Sequence, residues 1–180
     1  NAGSCCTPAK ELGINDRGFI HQVVQRMGSK VNLDDTRVYA TGHSNGAIMT
    51  HRLGLQSADT FAAVAPFSFQ LVDNWSWEIP DHWYPDRAVA QMEAHAPDDE
   101  LIPYDGDIGL QPGLWFDSVH EGLGNWGRIS QCSGHPVRRD HPGAGAFVDA
   151  YSDCAQNVKV KLLTVGKGGH FDIHTTSDNG

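Results

Sequence analysis

Ser44 lies at the centre of Gly42-His43-Ser44-Asn45-Gly46, and Asp98, Asp99 and finally His170 follow it along the chain. A serine hydroxyl becomes an effective nucleophile when an imidazole takes its proton and a carboxylate fixes that imidazole's tautomer. A glycine-bracketed serine on a strand-to-helix turn finds its partners in the chain order serine, acid, histidine. These residue types in this order point to acyl transfer. Ser44 would attack an ester, His170 would accept and return the proton, and an aspartate at 98 or 99 would orient His170. The backbone N–H of Asn45 would be the first donor to the developing oxyanion.

Such a serine has to be held at the apex of a forced turn above the end of a sheet. Residues 37–41 read as the strand before it and residues 46–55 as the helix after it. Apolar residues at 61–65, ended by Pro66, give a second strand covered on both faces. Residues 88–94 and 158–165 give a third and a fourth. The third runs into His95-Ala96-Pro97-Asp98-Asp99-Glu100 and the fourth into Gly166-Lys167-Gly168-Gly169-His170, so carboxylates and an imidazole emerge at one edge. Functional groups in open α/β sheets collect outside the C-terminal ends of the strands. Phe19, Ile20, Val23, Val24 and Met27 recur at helical spacing before the first strand. Residues 145–151, with Phe147, Ala150 and Tyr151 on one side, read as a further helix, and residues 114–123 as a short one. The alternation predicts an α/β fold with a mostly parallel sheet flanked by helices.

A chain of 180 residues, 39% hydrophobic and 19% charged, fits a single well-buried domain. A formal charge of -9 argues against nucleic acid or an anionic membrane surface as the main partner. The pair Arg138-Arg139 beside Asp140 reads as a solvated face. His120-Glu121 lacks the second histidine of H-E-x-x-H, and the other histidines are scattered, so no metal site is expected. Serine-based acyl transfer needs only water and side chains, and no cofactor is expected. No apolar run reaches transmembrane length.

Four cysteines favour an oxidising compartment. Three pairings are open. Because a vicinal Cys5–Cys6 bridge would strain the backbone, Cys5 and Cys6 are expected to reach Cys132 and Cys154 in some order. Residues 67–85 read as an irregular insertion rich in aromatics, with Trp75, Trp77, Trp83 and Tyr84, which would either build a binding surface or form a satellite core against the sheet. A second oxyanion donor should come from a loop after a strand preceding residue 37, and no such strand is read there. Either residues 1–180 belong to a longer chain, or an unusual pairing replaces that strand.

Five stretches carry a resemblance to a known family: Asn1-Ala2-Gly3-Ser4-Cys5-Cys6; Arg37-Val38-Tyr39-Ala40-Thr41-Gly42-His43-Ser44-Asn45-Gly46-Ala47; Phe61-Ala62-Ala63-Val64-Ala65-Pro66; Leu101-Ile102-Pro103-Tyr104-Asp105-Gly106; and Gly168-Gly169-His170. Together they resemble the poly(3-hydroxybutyrate) depolymerases and their relatives among the feruloyl and acetylxylan esterases, secreted α/β-hydrolases. The resemblance implies Ser44 as nucleophile, His170 as base and Asp99, rather than Asp98, as the acid. It also implies bridged cysteines and a secreted protein, extracellular or periplasmic. A preceding portion of the same domain would bring the first strands and a His-Gly oxyanion loop, making residues 1–180 the C-terminal two-thirds of one catalytic domain. A polyester or oligoester is the first substrate expectation and a feruloyl or acetylxylan ester of plant wall the alternative. A non-catalytic remnant of the same fold is the rival of a different kind. Trp75, Trp77, Trp126 and His43 are the expected substrate-groove residues, His43 standing where many relatives carry methionine. Phe171-Asp172-Ile173-His174 replaces the relatives' Trp-Pro-Gly after the histidine.

Overall fold

The computed structural model describes residues 2, 7–72, 85–108, 115–141 and 145–171. Along the chain run α1 (Asp16–Gly28), β1 (Tyr39–His43), α2 (Asn45–Gln56), β2 (Ala63–Phe67), β3 (Ala90–His95), the short pair β4 (Asp107–Ile108) and β5 (Trp115–Phe116), α3 (Val119–Ile129), β6 (Val137–His141), β7 (Ala146–Tyr151) and β8 (Val160–Thr164). Six strands form one sheet in the order β1-β2-β3-β8-β7-β6. The first four are parallel and the last two antiparallel, so the sheet is mixed and mostly parallel, as the strand–helix alternation predicts.

Alternate residues of the parallel strands, Ala40, Val64, Val160 and Leu162, face the helices and meet Leu53 and Leu55 of α2 and Val119, Leu123 and Trp126 of α3 in one core. Gly54 lets the two helices meet, because a Cβ there would stand 2.8 Å from the Trp126 ring. On the opposite face Tyr39 and Met92 are exposed, and they line a shallow groove with Thr41, Ala63, Ala65, Ala90 and Lys161. Among the described residues no helix is long and apolar enough to cross a membrane.

Four local readings of the sequence are corrected. Residues 146–151 are a strand, β7, held between β6 and β8. The spacing of Phe147, Ala150 and Tyr151 imitates a helix because the buried position between them is Asp149. Arg138 of β6 lies opposite in register and grips its carboxylate with two bonds, at 2.9 and 2.8 Å. Arg138 and Arg139 lie on the solvated face that the sequence suggests, and Arg138 reaches from it to Asp149. The helix expected at 114–123 begins only at Val119, where Ser118 and Glu121 form a reciprocal capping box. Pro66 lies inside β2, opposite Gly42, and the β2–β3 register passes from Val64 to Phe67, accommodating a residue with no N–H to give.

The fourth correction concerns the cysteines. Cys132 bonds Cys154. The end of α3 and the turn after β7 run side by side, with the Cys132 N–H on the Gly127 carbonyl and the Ser133 N–H on that of Asp153, which brings the two sulfurs together. Cys5 and Cys6 lie outside the described residues.

Candidate active site

The loop between β1 and α2 turns on Ser44, whose φ of 55° is in the left-handed region that a non-glycine residue adopts only under constraint. Three backbone bonds impose it: the Ser44 N–H donates to the Phe67 carbonyl, and the Ser44 carbonyl accepts from the N–H groups of Ala47 and Ile48. A Cβ on Gly42 would collide with the Gly46 carbonyl, so the approach of strand to helix needs glycine at 42. At Gly46 a Cβ would meet open space, so of the two bracketing glycines only the first is demanded by its described neighbours.

His170 lies just beyond β8, buried to 2% exposure. Its Nε2 is 2.8 Å from the Ser44 hydroxyl oxygen, and its Nδ1 is 2.8 Å from one carboxylate oxygen of Asp99 and 3.1 Å from the other. Serine, imidazole and carboxylate thus form a continuous Ser-His-Asp triad. Each of three successive acidic residues holds part of the histidine loop. Asp98 accepts from the N–H groups of Gly168 and Gly169, Asp99 takes the ring, and Glu100 accepts from the His170 N–H. The role of Asp98 and Glu100 as anchors was not read from the sequence, although a run of acids facing a glycine-rich segment is the signal that carries it.

Asp99 is also held from behind. Its Oδ1 accepts from the backbone N–H groups of Leu101 and Ile102 at 2.9 and 2.8 Å. Burial alone would raise its pKa, but the bonds from His95, Ile102, His170 and Leu101 outweigh burial and bring it down to about 2. The carboxylate therefore remains ionised beside His170. Asn45 opens the 12-residue α2, so its N–H lies at the positive end of a helix next to the serine.

No protein-family model matches the chain. It is 31% identical over 178 residues to feruloyl esterase B of Piromyces equi, covering 96% of this chain and 31% of that protein. It is 25% identical over 158 residues to a bifunctional acetylxylan esterase/xylanase of Neocallimastix patriciarum, covering 88% of this chain and 21% of that protein. The chain is homologous to feruloyl- and acetylxylan-esterase-like α/β-hydrolases. It spans less than a third of the length of either curated relative. An acetyl xylan esterase from Aspergillus awamori superposes with a TM-score of 0.60 at 18% identity, over 85% of this chain and 61% of that one, and supports the α/β-hydrolase-like fold.

In this esterase homologue the remaining expected site residues part company. His43 is beside the triad: its Nε2 is 2.6 Å from the His170 carbonyl, and the two rings are 4.8 Å apart. Trp75 and Trp77 lie outside the described residues. Trp126, expected in the groove, is instead a fully buried core residue between α2 and α3. The indole N–H donates to Nδ1 of His51 at 3.0 Å, and His51 Nε2 donates to the Phe69 carbonyl at 2.9 Å.

Those two bonds fix His51 as a neutral imidazole, since Nδ1 must keep a lone pair for Trp126. Burial depresses its pKa to about 4, with the Phe69 carbonyl opposing. A histidine that binds its proton less readily when folded stabilises the fold above its unfolded pKa of about 6.5. That contribution is lost as pH falls toward 4. Urea unfolding at pH 7.5 and pH 5 is expected to show a loss of about 2 kcal/mol from this group. His51→Gln, which can make both bonds without titrating, should flatten that part of the profile; an unchanged slope in the variant would remove His51 as its source.

Proposed function

We propose that this protein is a serine carboxylic ester hydrolase of the feruloyl or acetylxylan esterase type, acting on ester-substituted plant-wall polysaccharide. The observation that carries the reading is the unbroken chain from the Ser44 hydroxyl through His170 to Asp99, each link at 2.8 Å, on a turn with φ of 55°. Ser44 attacks the ester carbonyl while His170 takes its proton. The oxyanion is met by the Asn45 N–H, and the tetrahedral intermediate expels the alcohol as His170 returns the proton. Water, deprotonated by His170, then releases the acid from Ser44 and restores the hydroxyl. Asp99 stays ionised throughout and stabilises the transient imidazolium.

Similarity to feruloyl esterase B over 96% of the chain favours plant-wall esters over the polyester substrate that the sequence motifs put first. The Cys132–Cys154 bond supports a secreted protein. On the same reading residues 1–180 belong to one α/β-hydrolase catalytic domain, and a further portion of that domain supplies the second oxyanion donor. Trp75 and Trp77 contribute the aromatic side of the groove.

Substrate profiling tests the choice. Methyl ferulate, acetylated xylan and short 3-hydroxybutyrate oligomers should be offered to the full-length chain, with Ser44→Ala as the blank. Serine-dependent release of ferulate or acetate at least tenfold faster per enzyme than of hydroxybutyrate is expected. The reverse ranking would return the assignment to a polyester hydrolase.

A further inference from the structure

Behind Asp99 lies a second pair of ionisable side chains that acyl transfer by the triad does not use. Gln91, Glu93 and His95 occupy alternate positions of β3, a strand with β2 on one side and β8 on the other, and all three are buried, Glu93 to 1% and His95 to 0% exposure. A carboxylate and an imidazole in the middle of a sheet are costly to desolvate, and apolar residues of similar size generally fill such positions at no loss of stability. The pair is joined at 3.3 Å, His95 Nδ1 to Glu93 Oε1. On its other side the ring directs Nε2 to the Ile102 carbonyl at 3.1 Å and to Asp99 Oδ2 at 3.3 Å. That oxygen is the one 2.8 Å from His170.

We propose that Glu93 and His95 form a second carboxylate–imidazole couple stacked behind the triad, in which His95 is a positioning residue that holds Asp99 Oδ2 for His170. The inference rests on reading Ser44, His170 and Asp99 as the hydrolytic triad. The division of bonds around Asp99 supports it: Oδ1 is fixed by two backbone N–H groups, whereas Oδ2 is shared between two imidazoles. Without His95 the second oxygen would keep only His170 and could swing about the Oδ1 anchor.

Among the described residues the partners of the His95 ring nitrogens are carbonyl and carboxylate oxygens. An imidazole facing acceptors on both sides is satisfied by carrying both protons, or by sharing one with Glu93. Burial opposes charge on the ring, but the bonds to Asp99 and Glu93 prevail and raise its pKa to about 9, while burial raises that of Glu93. Both directions keep a proton on the couple at neutral pH. The other group facing His95 is Tyr104, edge-on at 5.9 Å, with its hydroxyl on Thr164. Beyond Tyr104 come His120, Asp149 and Arg138, with His120 and Arg138 both paired to Asp149.

The test compares wild type, His95→Gln and His95→Leu in the full-length chain. Glutamine retains a donor at the Nε2 position without the charge, and leucine removes both. The downfield NMR resonance of the His170 Nδ1 proton, which reads its bond to Asp99 Oδ2, is expected to lose intensity or move upfield in His95→Leu and to persist in His95→Gln, because only glutamine still holds that oxygen. On the high-pH plateau, inactivation by a fluorophosphonate should slow by at least about tenfold in His95→Leu and be largely restored in His95→Gln, since only the latter still positions Asp99. Should His95→Leu fail to fold, His95→Asn, too short to reach Asp99, takes its place. An Nδ1 proton resonance that His95→Leu leaves unchanged would overturn the proposal and leave the couple a packing feature. Wild type inert to the fluorophosphonate but with the change in the Nδ1 proton resonance present would sink the hydrolase reading while upholding the positioning role.

Discussion

Replacing Ser44 with alanine is expected to lower kcat for ester hydrolysis by about 10⁴- to 10⁶-fold and to abolish covalent labelling by a fluorophosphonate. The hydroxyl is the only atom removed, and the turn does not depend on it: the Ser44 N–H and carbonyl, bonded to Phe67, Ala47 and Ile48, fix the backbone. Alanine tolerates the same left-handed φ about as poorly as serine, so the strain is unchanged and the fold should survive. KM should change little, because Ser44 contributes through the bond it forms in the reaction. The result separates an enzyme from a domain that merely keeps the constellation. In a non-catalytic remnant, wild type and Ser44→Ala would be equally inert and equally unlabelled. Intact-mass measurement after exposure to the reagent, one adduct for wild type and none for the variant, is the direct reading. Full ester turnover by Ser44→Ala would instead require a different nucleophile.

The triad was legible because its geometry is written locally. Residues 42–46 must turn sharply between a strand and a helix, and that requirement leaves a visible glycine at 42. The partners were legible because the parallel strands β3 and β8 pair in register from Gln91 with Val160 to His95 with Thr164, so the loops after them open side by side. What the sequence concealed lies where a residue's neighbour comes from a distant element. Asp149 looks like a surface acid and interrupts the period of β7, and only Arg138 across the ladder explains its burial. Trp126 looks like a surface aromatic in a Gly-rich stretch until α2 offers it Gly54 and His51. Glu93 and His95 look like the exposed positions of a strand, yet both face inward. In each case a polar or aromatic side chain is buried because a partner far along the chain satisfies it, which periodicity does not encode.

Exchange of Asp99 for asparagine should reduce kcat by about 10⁴-fold, whereas Asp98→Asn should cost much less, although the two residues are adjacent. The backbone N–H groups of Leu101 and Ile102 demand an acceptor at Oδ1, so the asparagine carbonyl would take that place and turn its amide toward His170 and His95. An amide donor facing His170 Nδ1 forces that nitrogen to accept, and the ring proton moves to Nε2. Nε2 then presents a proton to Ser44 and can no longer remove one. The substitution is nearly isosteric, so KM should stay close to wild type while kcat collapses, whereas stability should fall because the amide sets a donor against the His95 Nε2 proton. Lowering the pH would not reproduce this in wild type above about pH 3, since Asp99 titrates near 2. Asp98, by contrast, only receives the N–H groups of Gly168 and Gly169, and an asparagine carbonyl can still accept from them. Comparable losses in the two variants would mean that loop anchoring rather than the tautomer of His170 limits the rate.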